Sequence, residues 1–142
     1  MLVDIVSICS FGYLKPVTQT NPSDSPSQLQ SGFDLTHYFI TGASAGIGAA
    51  LATKLNKDKH QVSAVARRAD LLAAKQQASD YFCGYQADVR DADAIAAAVI
   101  ESVKTYGPID VAILNAGIYA PQDGCQISPS IYSEHMDVNY MG

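Results

Sequence analysis

The stretch Tyr38 to Leu51, "YFITGASAGIGAAL", constrains this chain more than any other. An apolar run ends in a cluster of small residues that holds Gly42, Gly46 and Gly48. A helical pattern follows, with Ile47, Leu51 and Leu55 at i, i+4 and i+8. A strand ending near Thr41 and a helix beginning near Gly46 leave a tight turn between them. Glycines suit that turn because they let a ligand reach the backbone with no Cβ in the way. The helix N-terminus offers free N–H groups and a partial positive charge, which suit a pyrophosphate. Ser44 adds a hydroxyl donor. The spacing is G-x-x-x-G-x-G, not the common G-x-G-x-x-G, and no Gly-Lys-Ser/Thr follows to make a Walker loop. A plain tight turn is the competing reading.

Beyond the turn, strand and helix signals alternate. "QVSAVA", Gln61 to Ala66, reads as a strand, and "ADLLAAKQQA" is rich in helix formers. "YFCGYQA" is a third strand. "DADAIAAAVIESVKTYG" is the clearest helix, with Ile95, Val99 and Val103 on one stripe and Ala92, Ala96 and Ile100 beside it. Asp91 is its expected N-cap, and Gly107-Pro108 ends it. "DVAILNAG" is nearly continuous in apolar residues, as expected for a strand buried on both faces. A loop with Pro121, Asp123 and Gly124 leads to a last helix in "PSIYSEHMDVNYMG". The order β-α-β-α-β-α-β-α predicts an α/β fold, a Rossmann-type doubly wound parallel sheet of about four strands, incomplete at its carboxyl end. In such a sheet, ligands bind at the carboxyl ends of the strands.

The chain has 142 residues, 48% of them hydrophobic, which is enough for one core and not for two. Residues 15 to 32, "KPVTQTNPSDSPSQLQSG", cannot build part of it, because Pro16, Pro22 and Pro26 sit among Ser, Thr, Asn and Gln. The expected division is therefore an extension over residues 1–32 and a domain over 33–142. The first fourteen residues are apolar but too short to span a bilayer, and they lack the basic start of a signal peptide. No membrane partner is expected. A net charge of -5 with nine scattered basic residues argues against a nucleic-acid partner. Cys9, Cys83 and Cys125 are odd in number and widely spaced, which predicts no disulfide framework and a reduced, cytoplasmic setting. His37, His60 and His135 show no metal-binding spacing, so no metal site is expected.

Four ordered motifs resemble the short-chain dehydrogenases/reductases over roughly residues 36 to 142, their amino-terminal portion. "TGASAGIG" looks like that family's cofactor loop, which implies contacts to a dinucleotide from Gly42, Ser44, Ala45, Gly46, Ile47 and Gly48. "ADVRD" resembles the Asp-Val after the third strand, so Asp88 would face the adenine and Val89 would pack near it. "LNAG" resembles Asn-Asn-Ala-Gly, so Asn115, Ala116 and Gly117 would stabilise the sheet and lie by the cofactor. Leu114 stands where the first Asn is usual, at the loss of one side-chain amide. "VNYMG" resembles the helix that carries the catalytic asparagine. Asn139 would be that residue, holding a water in a proton relay.

The second strand indicates which dinucleotide. NAD-preferring sites end that strand with Asp or Glu for the ribose 2′-OH, whereas an arginine accommodates a 2′-phosphate. Here Ala66 holds the acid's position, and Arg67 and Arg68 follow. Two planar forks of donors predict NADP(H) over NAD(H). The competing reading makes both arginines solvated charges, one of them paired with Asp70.

The family's chemistry also uses Ser and a Tyr-x-x-x-Lys. The i, i+4 spacing puts an ammonium on the tyrosine's face of one helix, where it lowers the phenol pKa and binds the nicotinamide ribose. The tyrosine then protonates the carbonyl oxygen during hydride transfer. Four residues before Lys15, Lys54, Lys57, Lys59, Lys75 and Lys104 stand Phe11, Ala50, Thr53, Leu55, Leu71 and Ile100, none of them Tyr. The resemblance implies a carbonyl or alcohol substrate and a homo-oligomer for the complete fold. For this chain it implies the cofactor-binding portion of an oxidoreductase, expected to be inactive alone. Two alternatives stand beside it. A non-catalytic dinucleotide-binding module would bind NADPH and stay monodisperse. A truncated gene product would fold poorly and bind nothing. The last strand, lacking a neighbour, is expected to leave an apolar edge.

Overall fold

Helices cover both faces of the sheet, and the alternation of the strands' side chains shows how. The computed structural model describes residues 35–124 and 128–142. The extension over residues 1–32, the domain start at Phe33, and Cys9 and Cys125 lie outside the described residues. Strands β1 (His37–Thr41), β2 (Gln61–Ala66), β3 (Phe82–Gln86) and β4 (Val111–Ile113) alternate with helices α1 (Gly46–Lys57), α2 (Ala69–Gln76), α3 (Ala92–Tyr106) and α4 (Pro129–Asn139). All pairings are parallel and the strand order is β3-β2-β1-β4. The chain works outward from β1 to β3, then crosses back to place β4 on the other side of β1. That reversal opens a crevice beyond the carboxyl ends of β1 and β4. The expected α/β doubly wound sheet is the one observed.

On one face, Ile40 of β1, Val62, Ala64 and Ala66 of β2 and Phe82 of β3 bury against Ala52 of α1 and Leu72 of α2. On the other, Phe39, Val65 and Ala87 pack against Ala98 of α3 and Ile109. Ile40, fully buried, contributes about 2 to 3 kcal/mol by its removal from water. Small residues let the helices lie close. A Cβ on Gly84 would come within 2.6 Å of the Leu72 Cβ, so β3 and α2 touch there.

Three side-chain placements differ from expectation. Ile47 is 80% exposed rather than part of the buried stripe, because α1 turns Gly48 and Ala52 inward, with Leu51 and Leu55 beside them. On α3 the buried positions are Ala98 and Ser102, flanked by Ile95, Val99 and Val103, while Ala92, Ala96 and Ile100 face outward. β4 is three residues long, not the run from Asp110 to Gly117. It is not buried on both faces either, since Val111 and Ala112 are exposed on an edge without an outer neighbour. After Ile113 the backbone N–H groups leave the ladder. Those of Asn115 and Ala116 both donate to Thr41 Oγ1, at 3.1 Å each.

Asp91 is the N-cap of α3, its carboxylate accepting the Ala94 N–H at 3.0 Å, and Gly107 ends the helix at φ +83°. Among the described residues no helix is long and apolar enough to cross a membrane.

Candidate functional site

A cavity of about 640 Å³ occupies the crevice beyond the strand ends. One wall is the turn from β1 into α1. Gly42 and Gly46 take left-handed backbone angles, φ +69° and +58°, that disfavour a side chain. Gly42 also needs its bareness for space, since a Cβ there would lie 2.8 Å from the Ala116 Cα. Ser44, Ala45 and Ile47 complete this wall. Gly48 does not line the cavity. It sits beneath the turn, buried, where a Cβ would meet Asn115 Nδ2 at 2.4 Å and the Gly42 carbonyl oxygen at 2.6 Å. The end of α1 here has no side-chain cap and no acid in its first turn. No acid of that first turn therefore competes for its N–H groups and partial positive charge.

The second wall comes from the end of β2 and the start of α2. Arg67 and Arg68 are exposed and line the cavity, and Arg68 Nη2 donates to Ser44 Oγ at 3.2 Å. That bond draws the second strand's arginine across to the glycine turn. Among the described residues no ion pair joins Asp70 to either arginine. Val65 and Ala66 form the floor between the walls. With Ala at position 66, no carboxylate stands at the end of β2.

Asp88 and Val89, after β3, bound one side. Asp88 is gripped by Arg90, whose Nε donates to Oδ1 at 3.0 Å and Nη2 to Oδ2 at 2.6 Å. The Arg90 backbone N–H adds a third bond to Oδ1 at 3.0 Å. The hydrogen-bonded guanidinium beside it holds the Asp88 carboxyl down at about 2, so the group is ionised at any working pH.

Asn115, Ala116 and Gly117 close the far side. Asn115 Nδ2 donates to the Thr41 carbonyl at 3.2 Å, which ties the end of β4 to the end of β1 from the side-chain direction as well. Asn139, on the last turn of α4, forms a reciprocal pair with the backbone of Ile118. It accepts the Ile118 N–H at 2.8 Å and donates to the Ile118 carbonyl at 2.9 Å. Its side-chain amide holds the loop next to Gly117.

Twelve of the thirteen cofactor positions expected from sequence thus line one cavity, with Gly48 packed behind it. Sequence reasoning missed Val65, Ala87, Ile118 and Val138, which also line it. Val65, Ala87 and Val138 are buried apolar residues of the core, and their pattern carries no signal beyond burial. Arg90 was missed as well. Its signal was present in the sequence, a guanidinium two residues after the cavity's acid.

A second hollow, of about 320 Å³, lies between Tyr119, Gln122, Tyr132 and His135. His135 is fully engaged there, accepting the Ala120 N–H at 3.0 Å through Nε2 and bonding the Ile131 carbonyl through Nδ1 at 2.6 Å.

Comparison with known proteins agrees with this geometry. The chain is 38% identical over 111 residues to a 3-dehydrosphinganine reductase of Arabidopsis thaliana, covering 75% of this chain and 33% of that protein. A second such reductase of that plant is 39% identical, so the chain spans about a third of the length of the curated relatives it matches. Among solved structures, a 3-ketoacyl-(acyl-carrier-protein) reductase from Brucella melitensis, complexed with NADH, superposes with a TM-score of 0.69 at 26% identity. It covers 74% of this chain and 44% of that one. An actinorhodin polyketide ketoreductase with NADPH also gives 0.69, at 28% identity, covering 76% and 43%. The family described as short chain dehydrogenase matches residues 36–142, and the chain belongs to that family.

Proposed function

We propose that this chain is the NADP(H)-binding portion of an oxidoreductase that moves hydride between a nicotinamide and a carbonyl or alcohol. The observation that carries the reading is the convergence on one cavity of an anion-free helix start, two arginines and the β4 end. Those residues fit a dinucleotide. The bare Gly46, with nothing within 4 Å of a would-be Cβ, leaves room at the N-terminus of α1 for a pyrophosphate. Arg67 and Arg68, with Ser44, offer donors to a 2′-phosphate, and no acid at position 66 repels it. Asp88 and Val89 border the adenine end, and Asn115, Ala116 and Gly117 the nicotinamide end. Family neighbours include complexes with NADH and with NADPH, so the arginines carry the choice of NADP(H).

A bound nicotinamide supplies or accepts the hydride. The chain's own part is to grip the phosphates, orient the rings through the Thr41–Asn115 lock and hold the Ile118 loop through Asn139. No Tyr stands four residues before a Lys, so we assign to these 142 residues cofactor binding and not the proton transfer. For a longer form carrying that pair, the similarity to 3-dehydrosphinganine reductases makes 3-dehydrosphinganine the first ketone to assay.

Thermal unfolding with and without each cofactor tests the reading. A ligand bound only by the native state at about 100 times its Kd adds about 2.7 kcal/mol, a clear rise in Tm. NADPH should raise Tm more than NADH does, and Arg67→Asp should abolish the difference. No shift with either cofactor would sink the dinucleotide reading. Equal affinities, unchanged in Arg67→Asp, would sink the preference for NADP(H).

A further inference from the structure

Two arginines from different loops act on one carboxylate at the cavity wall. Asp88 lines the cavity, and its side chain is 26% exposed. Arg90 does not line the cavity. It reaches Asp88 from outside with two parallel bonds, Nε to Oδ1 and Nη2 to Oδ2, and its backbone N–H adds another. Arg67 lines the same cavity, and its charge acts on the same carboxylate. Yet among the described residues the Arg67 guanidinium makes no hydrogen bond or ion pair, and only its backbone carbonyl is engaged, by Gln86 Nε2 at 3.1 Å.

We propose that Arg90 is a positioning residue for cofactor choice: by occupying Asp88 it leaves the Arg67 guanidinium available to a 2′-phosphate. The inference rests on the NADP(H) reading above and extends it to a residue outside the cavity. A carboxylate offers its best two-point geometry to one guanidinium at a time. While Arg90 fills it, a second guanidinium gains little there and meets a like charge. Without Arg90, an ionised Asp88 faces the cavity unpaired. It then attracts Arg67 toward itself and repels a phosphate dianion, and both effects act against NADPH. NADH lacks the 2′-phosphate, so its binding changes much less.

The ratio of NADH to NADPH dissociation constants therefore reports the effect. Any contact of Asp88 with the adenine is common to both cofactors and cancels in the ratio. In the full chain, followed by calorimetry, Arg90→Leu should lower the ratio about tenfold, the factor expected for one charge-assisted bond. Arg90→Lys, a point charge without the fork, should fall between. Asp88→Asn combined with Arg90→Leu should restore the ratio, because a neutral amide neither captures Arg67 nor repels phosphate. A merely structural role for Arg90 would weaken both cofactors alike and show no recovery in the double variant, and that result overturns the inference. An unaltered ratio in Arg90→Leu, with the unaltered chain still preferring NADPH, overturns it too while leaving the functional reading intact. If the unaltered chain binds neither cofactor, or both alike, the functional reading fails and this inference with it.

Discussion

Two glycines of the turn look alike in sequence and do different work. Gly46 is needed for its backbone angle alone, since φ is +58° and the space around a Cβ is open. Gly48 has ordinary helical angles but no space, because a Cβ would sit 2.4 Å from Asn115 Nδ2 and 2.6 Å from the Gly42 carbonyl oxygen. Alanine at 46 meets only left-handed strain, about 1 kcal/mol. Alanine at 48 must push the turn off the Thr41–Asn115 lock, an overpacking cost of about 3 kcal/mol. Urea unfolding of the two variants should therefore place Gly48→Ala well below Gly46→Ala. The reverse order would mean that backbone angle, not close approach, fixes the turn. The glycine pattern was legible in the sequence as a ligand cradle. This division of labour was not, because it depends on Asn115, 67 positions away from Gly48 in the chain and brought alongside only by the crossover to β4.

At the scale of elements, the alternation of strands and helices was legible because each carries its own period and its own stops, such as the Asp91 cap and the Gly107 turn. What joins the elements was less so. His37, at the start of β1, stood out in the sequence only for its lack of metal-binding spacing, yet it is 1% exposed. Its Nδ1 lies 2.9 Å from the Gly107 carbonyl, an acceptor, so Nδ1 carries the proton. Nε2 then accepts from the Ser63 hydroxyl of β2 at 2.8 Å, and Ser102 of α3 donates to Ser63 at 2.8 Å. The chain of bonds links β1, β2, α3 and the turn after α3. No motif announces it, since three isolated polar residues at unrelated positions form it only when the sheet and α3 stack. Burial lowers the His37 pKa below its ordinary 6.5, because a charged imidazole here would be cut off from water. The native state thus binds fewer protons at this residue than the unfolded chain does. Its contribution to stability is complete above about pH 6.5 and is lost as pH falls from there through the lowered folded-state value. Stability measured by urea across pH 7.5 to 5 should drop on the acid side, above the range where carboxylates titrate. In His37→Gln the chain should be less stable at neutral pH, and the part of this slope due to His37 should vanish. A slope identical in both proteins would remove His37 as its cause.

For the whole molecule, the sheet has two ends of unlike character. At β3 the outer edge is partly closed from within the chain, as Gln76 Oε1 accepts the Gly84 N–H at 3.1 Å. At β4 the outer edge pairs with nothing among the described residues, and it is short and apolar, with Val111 37% and Leu114 69% exposed. The sequence showed the apolar run but could not show that only its inner half would join the ladder. That depends on Thr41 drawing the Asn115 and Ala116 N–H groups out of strand geometry toward the cavity. An unpaired apolar edge is a template for another strand, and natural sheets guard such edges with lysine. Sedimentation velocity on the 142-residue chain should therefore show association that grows with concentration. Val111→Lys with Leu114→Asn should reduce it, because a charge faces any incoming strand and the most exposed apolar group is gone. Neither position lines the cavity, so cofactor affinity should stay within about twofold in the double variant, the range of distant and independent sites. Association unchanged by the substitutions would move its cause from the β4 edge to the exposed Tyr132 and Met136 of α4 and Tyr140 just after it, spaced at i, i+4 and i+8. A monodisperse parent chain would show that three residues of bare edge are too short to recruit a partner.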